Sequence, residues 1–117
     1  MIKIKNKLGT ITISGAVLTI LTGDAATNCF GVKGMALRNV SDGIVYLLKM
    51  ESMGKGVNIT YDDDGRISVS LNIVVDRGVN IPVVCSSIMD QVRYMLSEAA
   101  GVEVKNIDIY IDTMTIN

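Results

Sequence analysis

Apolar side chains along this chain recur at two spacings, every second residue or every third to fourth, and the switches between them mark out the elements. Ile2 and Ile4, then Ile11 and Ile13, alternate with polar residues around Leu8-Gly9, the pattern of a two-stranded hairpin with one buried face. Lys3, Lys5 and Lys7 fall on its other face, where lysines keep a solvated strand from pairing edge to edge; contact with anionic lipid is the functional alternative. Ser14 supplies an N-cap, and Val17, Ile20, Leu21, Ala25 and Cys29 follow at helical spacing until Gly31, predicting a first helix over 15–28. Residues 32–37 read as a strand. Beyond it Asn39 or Ser41 caps a short helix that carries Ile44, Leu47 and Leu48 on one side and ends at Gly54 and Gly56.

The second half is more regular. Val57, Ile59 and Tyr61 alternate with Asn58 and Thr60, and past Asp62-Asp63-Asp64-Gly65 the alternation resumes with Ile67, Val69, Leu71, Ile73 and Val75, a second hairpin broken at Arg77-Gly78. Asn80 as cap and Pro82 in the first turn open a long helix with Val84, Ile88, Val92, Met95 and Ala99 on its buried face, and Gly101 stops it. A last strand turns Ile107, Ile109 and Ile111 inward and Asp108 and Asp112 outward. The expected order is β-β-α-β-α-β-β-α-β, an α+β fold in which helices pack on a mixed or antiparallel sheet. No linker or low-complexity tract interrupts it, so residues 1–117 are expected to form one domain. A faint internal echo links 14–32 and 80–102: each reads as cap, apolar helix, then Gly-Val into a strand.

Composition narrows the function. In 117 residues, 49% are apolar and 20% charged, ample for a packed core of its own. A net charge of −1, with few aromatic side chains and no Trp, offers little to a phosphate backbone or to stacked bases. The N-terminus lacks the apolar run of a signal peptide, and the apolar stretch over 16–21 falls far short of the about 20 residues a membrane span needs. A cytoplasmic location is expected, with no direct membrane span.

Candidate chemistry is sparse. Without histidine, the commonest general base, nucleophile activator and zinc ligand are missing together. Cys29 and Cys85 have no CxxC spacing and read as reduced, buried apolar groups. Asp62, Asp63 and Asp64 precede Gly65, but aligning Gly65 with the sixth position of a calcium loop puts Thr60 first and Leu71 last, where carboxylates are required; a solvated turn is the better reading. Gly31-Val32-Lys33-Gly34 matches the GxxG of KH nucleic-acid domains, an alternative that needs this tetrapeptide to be an exposed loop beside a positive groove. An enzyme would need a pocket uniting Asp62 to Asp64 or Asp90 with Arg77 or Arg93, for which no spacing argues. Of the seven methionines, Met35, Met89 and Met95 read as core, and Met50 and Met53 as candidates for contact. No catalytic, cofactor or metal residue is assigned.

With these segments placed, the chain resembles the alkaline-shock protein family of Gram-positive bacteria, nearer to its short members. The resemblance rests on Leu8-Gly9 before Ile11-Thr12-Ile13-Ser14, on Ala25-Ala26, on Cys29-Phe30-Gly31-Val32-Lys33-Gly34-Met35 and on Ser41-Asp42-Gly43-Ile44. It continues through Gly56-Val57, the run from Ile73 through Gly78 into Ile81-Pro82, Gln91-Val92, and Gly101-Val102 leading to Val104 and Ile107. What it implies is a non-catalytic protein of cell-envelope stress or homeostasis. Its implied partners are further copies of itself and an integral-membrane relative that gathers family members at the inner face of the membrane. It supplies no binding or catalytic residue, and nucleic acid is not an expected partner. The strand, helix and strand of 68–112 also resemble ring-building domains of sporulation complexes, a likeness of fold alone. A scaffold working through protein contacts predicts an exposed apolar surface or an unpaired strand at a sheet edge.

Overall fold

A computed structural model describes residues 1–38, 45–47 and 56–112. Strands β1 (Ile2–Asn6) and β2 (Gly9–Ile13) form the first hairpin, with Ile2 opposite Ile13 and Ile4 opposite Ile11. The Asn6 side chain accepts hydrogen bonds from the Leu8 and Gly9 amides at 2.8 and 3.1 Å and so fixes the turn. Ile2 is buried and Ile4 and Ile13 half-buried, but Ile11 is exposed, so the hairpin buries its open end and projects its tip.

Helix α1 (Gly15–Thr27) begins where the Ser14 hydroxyl accepts from the Val17 amide at 3.4 Å. Its sequence is apolar on nearly every side, and the structure keeps part of the stripe that the spacing marked: Ala25 and Cys29 are buried and Leu21 packs on the core, with Leu18, Thr22 and Ala26 buried beside them, while Val17 and Ile20 point outward. Small residues at Gly23, Ala25 and Ala26 let this face sit close to the second helix and the sheet. Thr22 is buried at little cost because its hydroxyl donates to the Leu18 carbonyl at 2.7 Å.

Strand β3 (Val32–Arg38) follows, and β4 (Val45–Leu47) pairs with it antiparallel, Ala36 opposite Leu47. The short helix expected to carry Leu47 is therefore a strand at 45–47; Asn39, Ser41, Ile44, Leu48 and Gly54 lie outside the described residues. Three apolar positions make a weak helical signal, and Val45-Tyr46 favours a pleated partner surface once β3 is there to pair with.

Strand β6 (Ile67–Val75) is the spine. On one side it meets β5 (Val57–Tyr61) over residues 67–71 and β3 near its C-terminal end, both antiparallel; on the other it runs parallel to β7 (Val104–Asp112). A parallel neighbour requires a crossover, and helix α2 (Ile81–Ala100) supplies it. Asn80 caps α2 by accepting from the Val83 amide at 3.3 Å, and Gly101 ends it in the left-handed region at φ 66°.

One face of the sheet packs on the helices. Ile67, Val69, Leu71, Ile73 and Val75 meet Val84, Ile88, Val92, Leu96 and Ala100 of α2 and Leu18, Ala25 and Ala26 of α1 in one core. Leu96 and Ala100 thus hold the places expected of Met95 and Ala99; Met95 packs at the margin and Ala99 is exposed. A step of four residues throughout keeps the stripe in line with β6, and Val102, whose amide donates to the Leu96 carbonyl at 3.1 Å, closes the helix end over it. The opposite face is polar over the first half of β6, where the Ser68 hydroxyl donates to Asn106 at 2.8 Å amid Asn58, Ser70 and Asp108, and apolar near its end, where Val74 and Ala36 are fully buried outside the helix-side core. The observed order is β-β-α-β-β-β-β-α-β, of the α+β class.

Candidate interaction surface

The residues of the nucleic-acid and enzyme readings do not assemble. Gly31 and Gly34 are both buried, and Gly34 lies within β3 opposite Val74; the register shift between Val32 and Gly34 leaves only Lys33 standing out. A GxxG clamp needs a free backbone loop, and here the backbone is spent on the ladder with β6, which removes the KH-like alternative.

Asp62, Asp63 and Asp64 form the turn between β5 and β6, closed by the Asp62 amide donating to the Arg66 carbonyl at 2.9 Å. Arg66 donates through Nε to Asp64 at 2.9 Å and through its amide at 3.1 Å, bonds that hold the Asp64 carboxyl below the usual carboxylate range and push the Arg66 guanidinium up. Lys105 Nζ lies 3.4 Å from the Asp62 carboxylate, a longer, purely electrostatic contact to an oxygen that has no hydrogen bond. These charges tie the turn to β7.

Arg93 spans from α2 to the Val104 carbonyl at 2.8 Å and lines a shallow hollow of about 430 Å³ with Ser97 and Glu103; neither Asp90 nor the acidic turn borders it. Among the described residues no group of three His, Cys, Asp or Glu could hold a metal. Cys29 is buried, its thiol 3.4 Å from the Ala25 carbonyl, and burial pushes the Cys85 thiol up, so neither is a poised nucleophile.

What the fold does present is apolar surface and a strand edge. Val17 and Ile20 lie on the outer face of α1, Ile20 62% exposed. Phe30 is 93% exposed, on the turn between α1 and β3. That turn is pinned from three directions: the Cys29 amide donates to Ala26 at 3.2 Å, the Val32 amide to Cys29 at 3.3 Å, and the Asp76 amide to Gly31 at 3.0 Å. Beside Phe30 opens a hollow of about 410 Å³ walled by Val79, Val83 and Val84, with Asp76 and Arg77 at its rim. Among the described residues β7 pairs only with β6, which leaves its far edge open, and exposed Tyr110 stands on that strand. The residue pattern flagged the Cys29-to-Met35 block but not Phe30 within it; a lone aromatic at a helix-to-strand junction carries no periodic signal.

Comparison with known proteins places this chain in a family. Residues 3–116 match the model of the alkaline-shock protein (ASP23) family, described by its cell envelope-related function. The chain belongs to that family. Among its alkaline-shock relatives, YloU of Bacillus subtilis (strain 168) is 29% identical over 116 residues, 98% of this chain and 96% of that protein. Spy1614 of Streptococcus pyogenes serotype M6 is 33% identical over 116 residues, 98% of this chain and 95% of that protein. YqhY of Bacillus subtilis (strain 168) is 33% identical over 104 residues, 89% of this chain and 76% of that protein. The metal-bound C-terminal domain of the CzcD transporter from Cuprividus metallidurans is similar in structure at a TM-score of 0.46 and 14% identity, covering 86% of this chain and 99% of that one, too slight a likeness to carry an argument. No helix among the described residues of this alkaline-shock protein is long and apolar enough to cross a membrane.

Proposed function

We propose that this alkaline-shock family chain is a non-catalytic scaffold or adaptor of cell-envelope homeostasis, held at the inner face of the membrane by protein contacts with further copies or with a membrane-anchored relative. The observation that carries the reading is the apolar surface left in solvent, led by Phe30 on a pinned turn. An aromatic side chain has few rotatable bonds, so one presented in solvent on a fixed backbone loses little conformational entropy on binding, which is the property of an interface anchor. The scattered charges, the absence of histidine and the unreactive thiols support a role without covalent chemistry.

The test is fractionation of a Gram-positive host expressing the tagged chain, with and without crosslinking. Recovery in the membrane fraction, through a protein that itself spans the membrane, is the expected result. A chain that stays in the soluble fraction, uncrosslinked to itself or to any membrane protein under envelope stress, refutes the proposal.

A further inference from the structure

We infer that the Phe30 surface is a two-fold contact with a second copy of this chain, in which Phe30 of each copy fills the hollow beside Phe30 of the other. The inference rests on the scaffold reading and deepens it by naming the surface and its occupant.

Knob and hole lie side by side on one patch whose backbone is pinned. Phe30 protrudes almost fully, and the hollow next to it is walled by Val79, Val83 and Val84, with Val83 itself 62% exposed. A surface that carries both a projecting side chain and an apolar cavity fits a rotated copy of itself, which is the requirement of an isologous interface. A second, smaller hollow of about 290 Å³ flanks Phe30 on its other side, lined by Cys29, Ser87, Gln91 and Met95, leaving room around the ring for the neighbouring copy.

Charge argues for a copy over an unrelated partner. The only charged residues lining the larger hollow are the neighbours Asp76 and Arg77, of opposite sign. Neither side chain has a hydrogen bond or ion pair among the described residues. A two-fold axis through the patch sets Asp76 of one copy against Arg77 of the other, twice, so the rim is complementary to itself. An acidic or a basic partner would meet one matching and one opposing charge at the same rim.

Gly31 maintains the shape. A Cβ there would stand 3.1 Å from both Val79 Cγ1 and Val84 Cγ2, so the turn that displays Phe30 is packed directly against the wall of the hollow. The backbone that carries the anchor and the wall of the cavity are therefore one unit, and binding has only the Phe30 side chain to order.

Sedimentation equilibrium of the full chain, Phe30→Asp, Arg77→Asp and the exchanged pair Asp76→Arg/Arg77→Asp, over concentrations up to about 1 mM, tests the contact. The wild-type mass should rise from 12.6 kDa to twice that value. Phe30→Asp should weaken association by at least about thirtyfold, the mark of an interface anchor. Arg77→Asp should weaken it on the order of tenfold through like charges set face to face, and the exchanged pair should restore it. Ile20→Asp, on the separate apolar face of α1, should leave it unchanged, and circular dichroism should show every variant folded, since these side chains are exposed.

A wild-type chain that stays monomeric throughout overturns the inference while leaving the membrane-partner arm of the scaffold reading to its own fractionation test. A dimer indifferent to Phe30→Asp, or one that the exchanged pair fails to restore, overturns the two-fold geometry.

Discussion

Backbone conformation and packing coincide at Gly31, and the two can be separated by comparison with Gly65. Both have φ in the left-handed region, at 88° and 85°, but a Cβ at Gly65 meets nothing within 4 Å whereas one at Gly31 runs into Val79 and Val84. Gly65→Ala should thus cost about 1 kcal/mol, the backbone penalty alone, and Gly31→Ala about 2–4 kcal/mol once the valines must shift. Urea unfolding of both variants measures the difference; equal costs would mean that the Gly31 turn is not packed against the helix start. The turn after β5 allows a second prediction at this scale. Arg66 holds the Asp64 carboxyl below its ordinary value of 3.8, so the contribution of this pair to folding is complete above that value and is lost as pH falls through the depressed one. Both groups are exposed, which keeps the effect on stability small. The measurable quantity is the titration itself: in Arg66→Ala the Asp64 carboxyl should move upward to the ordinary range when followed by NMR.

At the level of elements, legibility followed the contrast between apolar and polar positions. The hairpin of β5 and β6 and the cap and stop of α2 could be read from sequence because Asn58, Thr60, Ser68, Ser70 and Asn72 punctuate the apolar run, and because Asn80, Pro82 and Gly101 each have one conformational use. Helix α1 had no such contrast. With Asp24 as its only charge, Val17 and Ile20 fit a buried stripe as well as Leu18 and Thr22 do, and tertiary packing decided between them. The same lack of contrast hid β4, whose existence depends on pairing with β3 rather than on its own three residues. The orientation of α1 is directly testable. Val17→Lys and Ile20→Lys should each change stability by no more than about 0.5 kcal/mol, because both side chains are already in water. Leu18→Ala should cost about 2–5 kcal/mol, since its side chain is wholly buried in the shared core. Thermal or urea unfolding that ranked Ile20→Lys with Leu18→Ala would mean that the helix is rotated from the face described. It would also remove one of the apolar surfaces on which the scaffold reading draws.

For the molecule as a whole, the decisive asymmetry is that helices cover one face of the sheet, the other face is polar along the first half of β6, and among the described residues β7 closes one side with no strand beyond it. Strand β6 has neighbours on both sides along its length, so breaking its hydrogen bonds means opening β5, β3 and β7 together. Its amides should exchange with solvent deuterium only through global unfolding. Strand β7 is different in kind. Its backbone bonds alternate in direction, so about every second amide points at β6 and the others at the open edge. In the isolated chain, hydrogen exchange across 104–112 should therefore alternate between slow and fast residues. That pattern separates two ways of building an assembly from this fold. If copies meet only through the Phe30 patch, the fast amides of β7 stay fast at every concentration, because that contact leaves the edge in water. If assembly instead adds a strand to β7, those same amides become protected as concentration rises, and the slow ones do not change. Exposed Lys105 and Asp108 along β7 oppose strand addition, since charged side chains on an edge strand must be held out of water or matched by the incoming chain, and Lys105 would keep its place beside Asp62. The expected outcome is consequently a persistent alternation, read residue by residue by NMR at low and high protein concentration.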